Sequence, residues 1–170
     1  ARLGEESLAQ QVCDAAYAGL RVNEHPFSRA LLDFSQTSLW LRQGQHDRAA
    51  RLLRQSHALC EQQDLPTMTP CIVGLLAEAL GPIGQADEAR QLVEQALKDK
   101  SYQIAGLYSE FFLRYGLGMA LAASDQLDEA MEHLSVARAY AARYAQWGHE
   151  ADALLAMGRV TARQGLVDQA

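Results

Sequence analysis

Apolar residues along this chain recur at three- and four-residue spacing. After Ala49 they fall at Leu52, Leu53, Leu59 and Cys60; after Ala89 at Leu92, Val93, Ala96 and Leu97. The same stripe follows Ala130, at Leu134, Ala137, Tyr140, Ala141 and Tyr144, and follows Ala9, at Val12, Cys13, Ala16 and Leu20. Such spacing keeps one face of a helix apolar and leaves the other to water. The stretches ahead of these alanines are helical in pattern too: SRALLDFSQTSLWLRQ, TPCIVGLLAEAL, YQIAGLYSEFFLRYGLGMALAA and HEADALLAMGRVTARQ. No segment of consequence alternates as a half-buried strand would, so the pattern predicts an all-α fold.

The alanines belong to a repeat. GEESLA (4–9), GQHDRA (44–49), GQADEA (84–89), DQLDEA (125–130) and GLVDQA (165–170) align without gaps, with final alanines spaced 40, 40, 41 and 40 residues apart. Gly44, Gly84 and Gly165 are suited to the left-handed conformation that ends a helix, and Asp125 tolerates it better than most residues. Asp47, Asp87, Asp128 and Asp168 fall where the next helix begins and favour its positive end. Turns are thus predicted near 44–47, 84–87, 125–128 and 165–168. Seven residues before each turn opens stands a small residue: Thr37, Ala77, Gly118 or Gly158. Two antiparallel helices that cross closely need small surfaces there, and the repeat alanines supply the opposite one. Gly81-Pro82 is expected to end or kink its helix early. Breaks at 23–26, 64–70, 98–101 and 146–149 read as junctions between units, and no stretch reads as a flexible linker. The prediction is a solenoid, an alpha-alpha superhelix of stacked helical hairpins.

Composition narrows the function. The chain has 170 residues, 49% of them apolar and 21% charged, as in a folded domain. No apolar run is long enough to cross a bilayer and the first residues lack a signal-peptide pattern, so the reading is cytoplasmic. Net charge of −6 repels phosphate and anionic lipid at long range, which argues against direct nucleic-acid binding and against a membrane surface. Cys13, Cys60 and Cys71 are too scattered for a zinc site or disulfide framework and read as buried thiols. GLVDQA looks like the opening of another helix, so the chain is expected to be a piece of a longer one.

The residues Thr37, Gly44 and Ala49, then Ala77, Gly84 and Ala89, then Gly118, Asp125 and Ala130, then Gly158, Gly165 and Ala170 resemble the small-Gly-Ala positions of the tetratricopeptide repeat. The period departs from the usual 34, and the closing proline is missing. A HEAT-type repeat would match the period as well; the Gly and Ala positions favour the tetratricopeptide reading. The longer repeat resembles the C-terminal regions of bacterial signal-transduction ATPases, nucleotide cyclases and maltose-activator-like transcription regulators. That resemblance implies a protein-interaction or ligand-sensing module whose ATPase, cyclase or DNA-binding domains lie elsewhere in the longer protein. It also implies binding on a concave face lined by the first helix of each pair. In this register that face comprises Phe34, Ser38 and Arg42, then Gly74 and Glu78, then Phe112, Tyr115 and Met119, then Leu155, Arg159 and Arg163. The implied partner is a protein, a peptide or a small effector. Phe112 and Tyr115 have a second reading, as core or as contacts with a neighbouring unit. A structural connector or self-association module remains the alternative function, with homodimers formed through exposed repeat ends.

Catalysis finds no foothold in the sequence. GxxxxGK[ST], HExxH and GxSxG are all missing, and GPIGQ has neither the lysine nor the preceding strand of a phosphate loop. Asp87-Glu88 and Asp128-Glu129 sit where helices begin and offset the dipole there. His25, His46, His57, His133 and His149 are too dispersed to imply a metal, and His133 reads as a packed substitution in an apolar slot. No catalytic residue, metal ligand or cofactor is therefore expected. Arg42, Arg48, Arg51 and Arg54 form the one basic cluster, either a solvated face or a reader of an acidic partner or nucleotide phosphate.

Overall fold

A computed structural model describes residues 2–20, 25–99 and 109–167. Helices are α1 (Arg2–Leu20), α2 (Pro26–Arg42), α3 (His46–Gln62), α4 (Thr69–Leu80), α5 (Ala86–Lys98), α6 (Ser109–Ala123), α7 (Leu127–Arg143) and α8 (Trp147–Val167), with a 3-10 turn at Gly81–Ile83. There is no strand among the described residues. Each described helix packs on the next, and the first helices of the pairs, α2, α4, α6 and α8, also touch in series.

The turns follow from local chemistry. Gly44, Gly84 and Asp125 are left-handed, with φ of 73°, 77° and 60°. Each reversal is closed by a backbone bond to the last turn of the helix: Gln45 N–H to Trp40 O (2.9 Å), Gln85 to Leu80 (3.0 Å) and Gln126 to Leu121 (3.0 Å). These bonds satisfy carbonyls that would otherwise be orphaned at a helix end. Asp47, Asp87 and Asp128 all lie in the first turn of the following helix. The kink expected at Gly81-Pro82 is the 3-10 turn that ends α4. Of the junctions, 64–70 runs from the turn after α3 into the first residues of α4, 146–149 is Gln146 followed by the first turn of α8, and parts of 23–26 and 98–101 lie outside the described residues.

At the fourth repeat turn the expectation fails. α8 continues through Gly165 to Val167, so the chain does not reverse at Gly165; Asp168 to Ala170 lie outside the described residues. Glycine permits a left-handed turn without compelling one, and helix continues unless later residues fold back to hold the reversal.

The core lies deepest in α4, where every residue except Cys71 and Glu78 is buried. Ala49, Ala89 and Ala130 are fully buried, as are Thr37 and Ala77 opposite them. At Gly118 a Cβ would come within 2.7 Å of Leu134 Cγ and 3.2 Å of the Ala130 carbonyl, so this glycine admits α7. A closer approach, unread from the sequence, joins α4 to α6. A Cβ on Gly116 would meet the Gly74 carbonyl oxygen at 1.9 Å, and one on Gly74 would meet the Phe112 carbonyl oxygen at 2.3 Å. Here backbone touches backbone. Gly74 therefore belongs to this helix contact, and its place on an open binding face is corrected.

All three cysteines are free; Cys60 is buried, Cys13 and Cys71 are half-buried. Burial pushes the Cys60 thiol up to about 11 and the Cys71 thiol to about 12, which leaves both protonated and poorly nucleophilic at neutral pH.

Candidate functional site

The first helices bring charge together from four directions. Glu78 stands on α4 near the carboxylate of Asp152 on α8 and the guanidinium of Arg42 on α2. Tyr115 on α6 senses Glu78, Asp152, Arg159 and Arg42. Tyr115 thus lies within electrostatic reach of three other residues that the repeat register put on one face: Arg42, Glu78 and Arg159. Asp152 was missed, although it lies one helical turn from the expected Leu155 and two from Arg159; its acidic side chain carried no signal apart from that register.

Glu78 is the most perturbed of the group. Burial, first, and then the neighbouring Asp152 push its carboxyl up to about 7, and Arg42 only partly offsets them. No hydrogen-bond partner or ion pair within contact distance holds it among the described residues. The folded chain therefore binds this proton more tightly than the unfolded chain. Its contribution makes the fold less stable as pH rises from the ordinary carboxyl range through 7, and more stable as pH falls. Tyr115 is raised above its usual range mainly by burial and then by the two acids, so it remains a neutral hydroxyl.

Aromatic rings wall this charged group. Phe34 and Phe112 meet edge to face at 5.3 Å, bridging α2 and α6. Phe111 stacks on Tyr115 at 5.4 Å and on His149 at 4.4 Å. Burial holds His149 below its usual titration range, favouring the neutral ring that can stack. Phe111 is core, while Phe112 and Tyr115 are half-buried, so both readings of Phe112 and Tyr115 hold in part: each packs on neighbours and keeps some surface. Phe34 and Met119 are likewise half-buried against the core. The Ser38 hydroxyl donates to the Phe34 carbonyl in its own helix (2.8 Å) and is half-buried. Leu155 stands clear, 55% exposed.

Arg163 does something else. It donates to the Ala122 carbonyl and pairs with Asp125, so it caps the end of α6 and is taken out of the candidate binding set. Cations near carbonyls at a helix C-terminus meet its negative end.

The basic cluster around α3 is also largely occupied. Arg54 donates to Gln85 (3.0 Å) and pairs with Glu88 (2.9 Å) at the start of α5. Arg90 makes the equivalent link from α5 to Gln126 and Glu129 at the start of α7. The acids read from sequence as dipole partners therefore also clasp adjacent hairpins. Arg48 lies over the Trp40 ring, 3.9 Å from its centroid. Arg42 and Arg51 of the cluster stand exposed and take no part in these contacts. His133 is half-buried beside Arg114, 3.4 Å from ring nitrogen to guanidinium, and burial lowers its pKa.

Among the described residues no group of His, Cys, Asp and Glu could hold a metal ion, and no helix is long and apolar enough to cross a membrane. Comparison with protein-family models, curated proteins and solved structures yields no match.

Proposed function

We propose that the chain is a tetratricopeptide-like solenoid that works without catalysis, as a protein-interaction or ligand-sensing module of a cytoplasmic regulator. The observation that carries this reading is the convergence of Arg42, Glu78, Tyr115, Asp152 and Arg159 from α2, α4, α6 and α8. A face built from the first helix of successive hairpins is where a curved helical array offers a continuous concave surface. Its half-buried rings supply apolar anchors and its mixed charges set orientation, a combination suited to a peptide carrying both signs of charge. Mass action then couples occupancy to the relative placement of the hairpins, since a ligand that prefers one arrangement stabilises it.

The test is selection from a displayed random-peptide library, followed by measurement of the enriched peptides against variants. Tyr115→Ala and Arg159→Ala are each expected to weaken binding about tenfold, the scale of one well-placed anchor or charged hydrogen bond, while far-ultraviolet circular dichroism stays unchanged. A library that yields no binder, or binders indifferent to both substitutions, supports the connector reading instead.

A further inference from the structure

Glu78 is the one charged residue of α4, and two close helix contacts fix its surroundings. Before it, Gly74 and Gly116 bring the backbones of α4 and α6 together. Beyond it, a Cβ on Gly81 would stand 2.4 Å from Ala120 Cα, so the same two helices meet again. Between these contacts α6 carries Tyr115 and Met119, one turn apart and so on one face. Both are half-buried.

The polar groups around Glu78 are unspent. Six arginines elsewhere among the described residues pair with carboxylates, yet Arg42 and Arg159 pair with none. Glu78, Asp152 and the Tyr115 hydroxyl likewise make no hydrogen bond or ion pair. All three can be reached. Asp152 is exposed, and neither the Glu78 carboxyl nor the Tyr115 hydroxyl is sealed from solvent. A deeply set carboxyl without a partner is costly, and folding has already stripped much of its water. The balance of neighbours decides which charge it attracts. At Glu78 the acid Asp152 outweighs Arg42, and at Tyr115 Glu78 and Asp152 each outweigh Arg159 and Arg42. Negative charge therefore prevails at the middle of the face, and the chain as a whole carries −6. Both favour the approach of a cation.

We propose that this face captures a basic side chain, Lys or Arg, of a peptide partner, its charged head on Glu78 within the field of Asp152 and its stem along Tyr115 and Met119. The inference deepens the peptide-binding reading above and rests on it. Glu78 meets the incoming cation as a carboxylate, and any proton it carries passes to solvent. An ion pair formed where water is scarce is stronger than the same pair at an open surface. Lys and Arg suit half-buried apolar walls, because their aliphatic stems bury while the heads keep their charge. An acidic side chain at the same place would face two carboxyls whose field repels it.

Two libraries of bead-bound, N-acetylated peptides test this, one made without Lys and Arg and the other without Asp and Glu. Binders are expected from the second and not from the first. Replacing the essential Lys or Arg of such a binder by norleucine is expected to weaken it about tenfold, as is Asp152→Asn or Glu78→Gln in the chain, read by fluorescence anisotropy. Asp152 is exposed, so its substitution leaves the fold intact even if that of Glu78 does not. Norleucine and Asp152→Asn together are expected to weaken binding scarcely more than either alone, since each removes one half of the same interaction. The proposal is overturned, with peptide binding intact, if the library without Lys and Arg yields equally tight binders or if those two losses simply add. Failure of both libraries would instead remove the peptide-binding reading, and this inference with it.

Discussion

Gly118 and Gly158 occupy the same place in successive repeats, yet their surroundings are opposite. Gly118 on α6 is buried, and a methyl group there would collide with Leu134 of α7. Gly158 on α8 is exposed, with nothing within 4 Å of where a Cβ would stand. The alanines repeat the contrast at the other end of the molecule: Ala49, Ala89 and Ala130 are sealed, while Ala9 of α1, in the same register, is exposed. Ala9 sits in an apolar groove with Leu8 and Val12, each 60% exposed, beside Leu39 of α2. A small residue in the repeat thus marks where a partner helix can come close. Whether one does is a property of the position in the fold.

Five substitutions sharpen this contrast. Gly116→Ala should be the most damaging, because its methyl group meets the Gly74 backbone at 1.9 Å and neither helix can yield by turning a side chain. A loss at or above the upper end of the ~1–3 kcal/mol typical of overpacking is expected in urea unfolding. A variant as stable as the native chain would show that α4 and α6 do not cross in contact. Next in size is Ala89→Leu, expected to cost about 1–3 kcal/mol where Ala9→Leu stays within ~0.5 kcal/mol; equal losses would mean that the repeat alanine acts through helix propensity alone. The smallest effect differs in sign. Gly158→Ala should raise stability by roughly 0.5–1 kcal/mol, the usual gain in an open helix, whereas Gly118→Ala loses that gain to its clash with Leu134 and Ala130. A parallel response of the two glycines would remove the distinction.

The same division separates what could and could not be read at the candidate sites. The repeat register put Arg42, Glu78, Tyr115 and Arg159 on the first helices, and Tyr115 lies within electrostatic reach of the other three. Register also placed Arg163 there, but it is spent on the Ala122 carbonyl and on Asp125, a pairing across 38 residues that no local pattern announces. Gly74 failed for a related reason. A glycine on a helix face looks the same in sequence whether it faces water or another backbone.

Helix type and the turns at Gly44, Gly84 and Asp125 were determined by the sequence itself, because they depend on residues within a few positions of one another: apolar spacing, left-handed residues at helix ends, and acids at helix starts. Tertiary structure decided the rest. The backbone contact at Gly74 and Gly116, the clasps of Arg54 and Arg90 and the raised carboxyl of Glu78 all depend on groups distant along the chain. Burial and charge act through space, and only the packed helices set those distances.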